Sequence, residues 1–328
     1  MSTRPSVLVT RRLPAAVETA LRESFEVTQE PSDRPLTERE LAAAMRDHDA
    51  LLCTVTDRVM APCFEGPGVR ARIVANFGVG VNHIALDAAD RAAVVVTNTP
   101  DVLTDDTADL AILLMLAVHR RAGEGERELR AGAWAGWRPT HLLGRRLTGR
   151  TLGIVGFGRI GRAVAARAQR AFAMPVVAWT RTPPPEGARD GVRFVASLDA
   201  LLPEVDVLSL HCPATPETHH LIGARELALM RPDAVLINTA RGDVVDEQAL
   251  VDALRAGRIA GAGLDVYEEE PVVHPGLLDR DDVVLLPHLG SATHETREAM
   301  GMRAVENLRA FFRGDAPPDR LLGAATRP

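Results

Sequence analysis

Lysine is absent from the chain, and all 38 basic residues are arginines. This absence excludes a P-loop lysine, a Schiff-base lysine and a lysine-anchored pyridoxal cofactor. Cysteine is also scarce, because Cys53, Cys63 and Cys212 form neither a disulfide framework nor a CxxC pair. A small, odd number of cysteines is typical of a reducing compartment, so we expect a cytoplasmic protein.

Long apolar runs and an excess of positive charge are missing too. The apolar run at residues 111–118, which Leu110 extends by one residue, is less than half of a membrane span, and the start MSTRPSVLVTRRLP lacks the apolar run of a signal peptide. The formal net charge is −6, whereas nucleic acids and anionic membranes attract a basic face. We therefore expect neither nucleic acid nor membrane as a partner.

The chain does contain short β-branched runs that alternate with helical segments, a pattern typical of parallel sheets with crossover helices. Its length of 328 residues suits two domains. The first third offers the strand candidates SVLVT, ALLCT, RIVAN and VVVTN, and Thr37 and Glu40 have the spacing of a helix capping box. A second series comprises TLGIV, PVVAWT, VDVLSLHC, AVLINTA, RIAGAGLDV and DVVLLP. Six strands complete a doubly wound sheet.

A glycine-rich turn follows the first strand of the second series. Gly156, Gly158 and Gly161 fit the pattern GxGxxG, and they lie between a buried strand and a helix. The first glycine permits a tight turn, the second lets the backbone approach a pyrophosphate, and the third lets the helix pack on the strand. Free N–H groups at the helix start then bind phosphate. The turn predicts a dinucleotide site.

These patterns predict an α/β protein with two doubly wound parallel-sheet domains. Residues 101–287 form a Rossmann cofactor domain, and residues 1–100 plus 288–328 form a discontinuous substrate-binding domain. The helical stretch at 293–314, followed by a polar tail, crosses back to complete the second of these. Residues 101–132 are predicted to form one long helix, since acidic residues come early and arginines late.

The end of the second cofactor-domain strand has an unusual composition. A residue about 20 positions past the glycines normally supplies a carboxylate for the ribose of NAD. This turn instead carries Thr180, Arg181 and Thr182. A planar guanidinium and two hydroxyls suit a phosphate, so we predict that NADP(H) is preferred and that NAD(H) remains possible. The alternative is that Arg181 is only a solvated loop charge.

Three candidate catalytic residues follow three strands of the second series. Arg241 comes after AVLINTA, Glu270 after LDV, and His288 after VVLLP. Strand ends of a parallel sheet converge at one edge, where a cation, a proton donor and a carboxylate can meet one ligand. Taken singly, each has a structural alternative: a surface ion pair for Arg241, a solvated turn for Glu270 and a hydrogen-bonded structural role for His288.

Five segments together resemble the D-isomer-specific 2-hydroxyacid dehydrogenases, and within them the glyoxylate/hydroxypyruvate reductases, which include D-glycerate dehydrogenases. The segments are NTPDVLTDDTADLA (98–111), GIVGFGRIG (153–161), LINTARGDVVDEQAL (236–250), AGAGLDVYEEEP (260–271) and LPHLGSATHETR (286–297). The resemblance implies a flavodoxin-like substrate domain. It also implies that Arg241 binds and polarises a 2-oxo acid, that His288 donates a proton and that Glu270 holds the imidazole.

The resemblance implies further binding residues as well. Backbone N–H groups of Val79 and Gly80, with Arg241 and His288, are expected to bind the small 2-oxo or 2-hydroxy acid. The cofactor is expected to contact the glycine turn, the turn at Thr180, and a set of residues on the other loops: Thr107, Arg159, Ile160, Cys212, Pro213, Thr239, Ala240, Asp265 and Gly290.

Some positions depart from the family pattern. Asn82 and His83 stand where many relatives have an aspartate and an asparagine. The arm AWAGWRPTHLLG (133–144) resembles a segment that reaches the partner subunit's active site, with His141 where related reductases carry a tryptophan. Because the arm and the helix before it lack obvious intrachain cover, we predict a homodimer. The cluster of His211, Cys212, His219 and His220 fits no common zinc spacing, so we expect no metal.

The sequence therefore predicts an NAD(P)-dependent oxidoreductase that acts on the CH–OH group of 2-hydroxy acids. The leading hypothesis is a D-2-hydroxyacid dehydrogenase that reduces glyoxylate and hydroxypyruvate, to glycolate and D-glycerate, with NADPH. Two alternatives remain at this point. One is an enzyme like D-3-phosphoglycerate dehydrogenase, although the chain has no room for an added regulatory domain after Pro318. The other is a dinucleotide-sensing corepressor on the same fold.

Overall fold

The computed structural model describes residues 4–321. Two parts of the sequence predictions lie outside the described residues: the first three residues of the amino-terminal segment, and residues 322–328 of the polar tail. The strands are β1 (Ser6–Val9), β2 (Glu26–Gln29), β3 (Ala50–Thr54), β4 (Ile73–Phe77), β5 (Val95–Thr97), β6 (Leu152–Val155), β7 (Val176–Trp179), β8 (Arg193–Phe194), β9 (Val207–Leu210), β10 (Val235–Asn238), β11 (Gly261–Leu264), β12 (Val283–Leu285) and β13 (Arg320–Leu321).

Helices separate most of these strands. They are α1 (Ala15–Ser24), α2 (Glu38–Asp47), α3 (Leu86–Arg91), α4 (Thr104–His119), α5 (Ala122–Arg130), α6 (Arg159–Phe172), α7 (Leu198–Leu201), α8 (Ala224–Leu229), α9 (Glu247–Arg255), α10 (Pro275–Leu278) and α11 (His294–Arg313). In the described part of the chain, no helix combines the length and the apolar character that crossing a bilayer requires.

The chain divides into two compact units. The split unit runs to Leu103 and resumes at Thr293, and the continuous unit spans Thr104–Ala292. The predicted cofactor domain, 101–287, therefore differs from the continuous unit by a few residues at each end. One consequence is that His288 and Gly290 belong to the continuous unit.

The split unit contains a sheet in the order β13-β5-β4-β3-β1-β2. Its five parallel strands follow the flavodoxin-like order 2-1-3-4-5, and β13 pairs with β5 antiparallel. Alternate residues of β1 face opposite layers: Val7 and Val9 pack with α1 and α11, whereas Leu8 packs with α2 and α3. The expected capping box of α2 is present, since Thr37 and Glu40 bond each other's backbone.

The continuous unit contains an entirely parallel sheet in the order β8-β7-β6-β9-β10-β11-β12. Counted along the chain, this is the 3-2-1-4-5-6 order of a dinucleotide-binding sheet with one more strand at the β12 edge. Helices α4 and α6 cover one face, where Leu114 and Val164 are fully buried, and α9 covers the other with Leu250. The predicted fold class, two doubly wound parallel sheets, is confirmed.

The predicted single helix over residues 101–132 is wrong. The chain forms α4 and α5 with a break between them, where Arg121 has a left-handed φ of 51°. The carbonyl oxygen of His119 accepts a hydrogen bond from the amide of Arg145 at 2.7 Å, so a contact from outside the helix satisfies it. Beyond the break, α5 buries none of its residues, and no apolar stripe holds it in line with α4.

Three strands were missed from the sequence: β2, β8 and β13. Each lies at an edge of its sheet, and β8 and β13 are only two residues long. The residues of β2 alternate between exposed and half-buried, so this strand has no continuous apolar run. The second sheet accordingly has a seventh strand.

Candidate functional site

The loops after the strands of the continuous unit carry most of the predicted site residues at one edge of the sheet. The glycine turn follows β6, and Thr180 to Thr182 follow β7. Cys212 and Pro213 follow β9, Thr239 to Arg241 follow β10, Asp265 and Glu270 follow β11, and His288 follows β12. Because all seven strands are parallel, these loops share the carboxyl edge, where ligands of such sheets bind.

Each of the three glycines of the turn has different surroundings. Gly156 has a φ of 90°, and a Cβ there would lie 2.6 Å from the amide nitrogen of Cys212. A Cβ on Gly161 would lie 2.4 Å from the carbonyl oxygen of Gly156, so no side chain fits where α6 crosses β6. A Cβ on Gly158 would have no heavy atom within 4 Å. The second glycine therefore opens onto space, as an approaching pyrophosphate requires.

The start of α6 complements that open space. Gly158 is the N-cap residue and supplies no side-chain hydrogen bond to the first turn of the helix. Arg159 and Ile160, two of the predicted cofactor residues, form that first turn. Its amides and the helix dipole favour an anion at this end. The residues present thus fit the diphosphate of a dinucleotide.

The turn after β7 contains Thr180, Arg181 and Thr182. Thr180 is half-buried, whereas Arg181 and Thr182 are exposed, and within residues 4–321 the Arg181 side chain makes no hydrogen bond or ion pair. A carboxylate lies near it on the loop after β9. The pKa of Glu217 is lowered, first by a hydrogen bond from Thr215 and also by the positive charge of Arg181. Sequence spacing alone did not indicate Glu217.

Asn238 shapes the turn that presents Arg241. This residue ends β10 and is 1% exposed. Its Nδ2 donates to the carbonyl oxygen of Arg241 at 2.8 Å, and its Oδ1 accepts from the amide of Ala240 at 3.0 Å. The Arg241 guanidinium in turn donates to the Ala240 carbonyl at 2.7 Å. A buried polar residue at a strand end was the signal that sequence reasoning missed.

Burial and two carboxylates act on Arg241 in opposite directions. Burial lowers the pKa of the guanidinium, while the negative charges of Glu270 and Asp243 raise it. The net pKa is below its usual value, and an arginine remains protonated at neutral pH even so. A partly desolvated cation next to a carboxylate is suited to binding a small anion.

His288 and Glu270 form a hydrogen-bonded pair. His288 Nδ1 lies 2.8 Å from Glu270 Oε2, and the second carboxylate oxygen accepts from the amide of Tyr267 at 3.0 Å. Burial raises the pKa of Glu270, but the bond and charge of His288, the Tyr267 amide and the charge of Arg241 outweigh it, so the net pKa is lowered. With a carboxylate at Nδ1, His288 Nε2 is the nitrogen left to face a substrate.

Asp265 anchors the loop that carries His288. Its carbonyl oxygen accepts from the amide of His288 at 2.9 Å. Its carboxylate accepts from the amides of Leu289 at 2.6 Å and Gly290 at 2.8 Å. Burial raises the pKa of this carboxyl group, although those bonds and the charge of His288 oppose the shift. Thr107 Oγ1 donates to the Gly290 carbonyl at 2.9 Å, so Thr107, Asp265 and Gly290 lie together as a group.

The hydroxyl group of Thr239 is a second feature, after the open space at Gly158, that fits a bound cofactor. The residue is 8% exposed, and its hydroxyl has no hydrogen-bond partner within residues 4–321. A buried hydroxyl without a partner is unfavourable unless a ligand or water bonds it.

Cys212 is buried against the glycine turn and Pro213 is exposed beside it.

Val79 and Gly80, the predicted binders of the substrate carboxylate, belong to the split unit. They lie on the loop after β4, and both are partly exposed. The side chain of Asn98 donates to the carbonyl oxygen of Val79 at 2.9 Å.

The three histidines and one cysteine that were considered as a metal cluster do not lie together as one group. His211 bonds Ser209 through Nε2 at 2.9 Å, and Cys212 is buried. His219 and His220 instead meet Glu268, with potential ligand atoms within 4.8 Å of one another. His220 Nε2 and Glu268 Oε1 are 2.5 Å apart, the distance of a short hydrogen bond. Glu268 is 48 residues further along the chain, so local spacing could not reveal it.

His141, on the arm, is held by its neighbours. Its Nε2 lies 2.9 Å from a Glu128 carboxylate oxygen, and its Nδ1 lies 2.9 Å from an Arg138 guanidinium nitrogen. Because the guanidinium can only donate, Nδ1 accepts and Nε2 carries a proton that is donated to Glu128.

The fold and this edge define a dinucleotide-binding oxidoreductase. The family description "D-isomer specific 2-hydroxyacid dehydrogenase, NAD binding domain" matches residues 112–290. The chain is 45% identical over 321 residues to a glyoxylate reductase of Thermococcus litoralis, with 96% of each chain covered. A glyoxylate reductase of Pyrococcus furiosus is 44% identical over 319 residues, covering 96% of this chain and 94% of the relative.

A solved structure is similar over almost the whole length. It is an NADPH-dependent glyoxylate/hydroxypyruvate reductase of Sinorhizobium meliloti in complex with NADP and malonate, with a TM-score of 0.88 and 39% identity. The match covers 99% of this chain and 99% of that one. The chain belongs to the D-isomer specific 2-hydroxyacid dehydrogenase family and is an NAD(P)-dependent oxidoreductase.

Proposed function

We propose that the protein reduces glyoxylate and hydroxypyruvate to glycolate and D-glycerate, with NADPH as the preferred cofactor. The observation that carries the proposal is the His288–Glu270 pair at 2.8 Å, on the same sheet edge as Arg241 and the glycine turn. A proton donor, a cation and a dinucleotide cradle are what the reduction of a 2-oxo acid requires.

Arg241 binds the 2-oxo acid and withdraws electron density from its carbonyl oxygen. Its guanidinium presents donors in a fixed fork that matches a carboxylate and a neighbouring carbonyl. The attraction between the guanidinium and the carbonyl oxygen becomes stronger as that oxygen gains negative charge. Arg241 therefore stabilises the transition state more than the ground state. The backbone amides of Val79 and Gly80 bind the substrate carboxylate.

His288 delivers the proton from Nε2 to the oxygen that becomes the hydroxyl group. Glu270 accepts the Nδ1 proton in a hydrogen bond, which fixes the ring and balances its charge. When bound, NADPH supplies the hydride to the carbonyl carbon, so two electrons and two hydrogens are transferred in all. In the reverse direction His288 accepts the proton as a base.

The turn after β7 supports the preference for NADPH. Arg181 is an exposed cation with Thr180 and Thr182 beside it, and the turn contains no carboxylate. The Sinorhizobium relative is described as NADPH-dependent. We assign the adenosine 2′-phosphate to Arg181 and its two threonines, and the diphosphate to the start of α6.

The direct test measures the decay of NADPH absorbance. Purified protein is assayed with glyoxylate, hydroxypyruvate, phosphohydroxypyruvate and larger 2-oxo acids, each with NADPH and with NADH. The proposal expects the two small unphosphorylated acids to have the highest kcat/KM. A higher kcat/KM for phosphohydroxypyruvate would instead assign the phosphorylated substrate, and no turnover of any acid would refute the proposal.

We also propose that the protein works as a cytoplasmic homodimer. The three cysteines are free and buried, which agrees with a reducing compartment. The arm and its preceding helices expose large apolar side chains, among them Trp137 at 81% and Leu143 at 65%. Several exposed large apolar side chains within one segment of the chain are typical of an interface.

A further inference from the structure

Two asparagines hold the carbonyl groups of the loop after β4. Asn76 lies in β4, and its Nδ2 donates to the carbonyl oxygens of Gly78 at 3.0 Å and Gly80 at 2.9 Å. Asn98 follows β5, and its Nδ2 donates to the carbonyl oxygen of Val79 at 2.9 Å. Because β4 and β5 are paired neighbours, both asparagine side chains lie at the same edge of the sheet. The carbonyl groups of Gly78, Val79 and Gly80 point toward these two side chains.

This arrangement determines where the amides of the loop point. A trans peptide is planar, so the carbonyl of one residue and the N–H of the next point in opposite directions. The three held carbonyls therefore direct the N–H groups of Val79, Gly80 and Val81 away from the asparagines. Within residues 4–321 these three amides donate no hydrogen bond, and all three residues are partly exposed. Successive amides on one side of a turn form an anion-binding concavity.

His83 fixes the orientation of the Asn76 amide. The His83 Nε2 lies 3.0 Å from Asn76 Oδ1. Because Asn76 Nδ2 already donates to two carbonyls, Oδ1 is the acceptor and His83 Nε2 carries the proton. Asn76 is 0% exposed, so its alternative orientation would leave buried donors and acceptors mismatched. The departure at His83 thus has a function within the loop.

We infer that Asn76 and Asn98 are positioning residues that orient the amides of Val79, Gly80 and Val81 toward the carboxylate of the 2-oxo acid. The inference rests on the proposed function and adds Val81 as a third donor. An ionised carboxylate has about four lone-pair sites, enough to accept three amide hydrogens. Amides that are already oriented bind an anion without reorganisation of the loop.

Asn98→Ala tests the inference with the smallest disturbance, because Asn98 is only half-buried and makes one of the three side-chain bonds. We expect the KM for glyoxylate to rise about fivefold to tenfold, the loss of one aligned charge-assisted contact, with kcat within about twofold and the KM for NADPH unchanged. The kcat/KM for glyoxal, which has no carboxylate, should change little. A general distortion of the loop would impair both substrates equally.

Thr99→Val is the matched control. The Thr99 hydroxyl is buried without a hydrogen-bond partner in the described chain, and its amide bond to the Gly78 carbonyl survives the change. This variant should keep the wild-type KM for glyoxylate. The inference is overturned if Asn98→Ala leaves that KM unchanged, if glyoxal suffers the same loss, or if Thr99→Val loses as much.

A binding experiment separates this inference from the proposed function. Oxalate is titrated into the wild-type protein and into Asn98→Ala, and the amide resonances of Val79, Gly80 and Val81 are followed by NMR. We expect these three amides to shift in the wild type, and the Kd for oxalate to rise about fivefold to tenfold in the variant. That result supports the inference even if glyoxylate is not turned over, in which case only the proposed function fails. Unshifted wild-type amides, or equal Kd values, overturn it.

Discussion

The imidazole of His288 is oriented from both ends of its residue. Glu270 bonds the ring at Nδ1, and the backbone amide bonds the Asp265 carbonyl, while φ at His288 is 53°. A left-handed backbone is uncommon for a histidine and persists when the surroundings determine it. Here the Asp265 carboxylate also holds the next two amides, Leu289 and Gly290. The orientation of one proton-donating nitrogen therefore depends on two loops.

His288→Asn is expected to lower kcat for hydroxypyruvate by about 10²–10⁴, the usual contribution of a positioned proton donor. Asparagine can still bond Glu270 but cannot donate a proton of suitable acidity. Steady-state kinetics with saturating NADPH measure the effect. His294→Asn, at the exposed start of α11, is the control and should retain normal kcat. A kcat close to wild type in His288→Asn would rule out this role.

The β7 turn should set the choice of cofactor. We expect kcat/KM to favour NADPH over NADH by about tenfold or more, as a charge-assisted contact between Arg181 and the 2′-phosphate would give. Changing Thr180 to Asp and Arg181 to Ala together should reverse the preference. Glu217→Gln should increase it, since Glu217 lies close enough to Arg181 to have its pKa lowered. A higher kcat/KM with NADH than with NADPH in the unmodified enzyme would show that Arg181 does not determine the cofactor preference.

His211 makes stability depend on pH. Burial lowers the pKa of this imidazole to about 3, whereas an unfolded histidine has a pKa of about 6.5. At a pH below the pKa of the unfolded histidine, the unfolded chain binds a proton at this position and the folded chain does not. The free energy of unfolding therefore decreases as the pH falls. One such group contributes up to about 1.4 kcal/mol per pH unit in this window.

His211→Gln should therefore lose less stability between pH 6.5 and pH 4 than the wild type does. Urea denaturation midpoints at several pH values within this window measure the slope. His219→Gln, which removes an exposed imidazole, is the control and should leave the slope close to that of the wild type. Parallel slopes for wild type and His211→Gln would contradict the assignment.

Among the elements, the buried strands and the edge strand β12 were predictable, whereas the other three edge strands, β2, β8 and β13, were not. Strands β6, β9 and β10 have four residues each, all of them buried. Apart from Ser209 in β9 and Asn238 at the end of β10 these residues are apolar, so each strand is recognisable as a short hydrophobic run. Edge strands such as β2 carry polar residues on an exposed side and give no such signal. The break between α4 and α5 was equally hidden, because the bond from Arg145 to the His119 carbonyl comes from a distant loop.

The candidate site also contains residues that the sequence could place and residues that it could not. Sequence could place Arg241, Glu270 and His288 after their strands, since motif and strand order fix those positions. It could not reveal that Asn238 orients the Arg241 turn or that Asp265 bonds the loop of His288. The Asn238 bond spans only three residues, and its one sequence signal is a polar residue at a strand end. The Asp265 bond joins residues 24 apart, which the pairing of β11 with β12 brings together. Long-range contacts of this kind leave no local pattern.

Gly161→Ala tests the crossing of α6 over β6. The added methyl group would lie 2.4 Å from the Gly156 carbonyl and 3.3 Å from Ile154 Cγ2. We expect a loss of about 1–3 kcal/mol in stability, typical of overpacking, together with a weaker affinity for NADPH because the turn must shift. Denaturant melts and cofactor fluorescence titration measure the two effects. Gly187→Ala, which meets nothing within 4 Å, should change neither; wild-type values in Gly161→Ala would contradict the close packing.

At the scale of the whole molecule, the arm predicts association of two chains. Trp137 is 81% exposed, Leu129 61% and Trp134 51%. We expect a homodimer at micromolar concentration, and changing Trp134 and Trp137 together to serine should shift the protein toward monomer. Sedimentation velocity measures this. Leu278→Ser, which alters a comparably exposed leucine (58%), is the control. A wild-type monomer would refute the prediction.

The interruption of the split unit has a consequence for biosynthesis. Helix α11 supplies Met300, Ala304 and Leu308 to one face of the first sheet, and it packs so closely on α1 that a Cβ at Gly301 would lie 2.4 Å from Val17. A ribosome delivers α11 only after about 190 intervening residues, which takes roughly 10–40 s at ordinary elongation rates. The nascent chain must keep the apolar face of its first sheet from aggregating until then, while residues 104–292 already have all their strands.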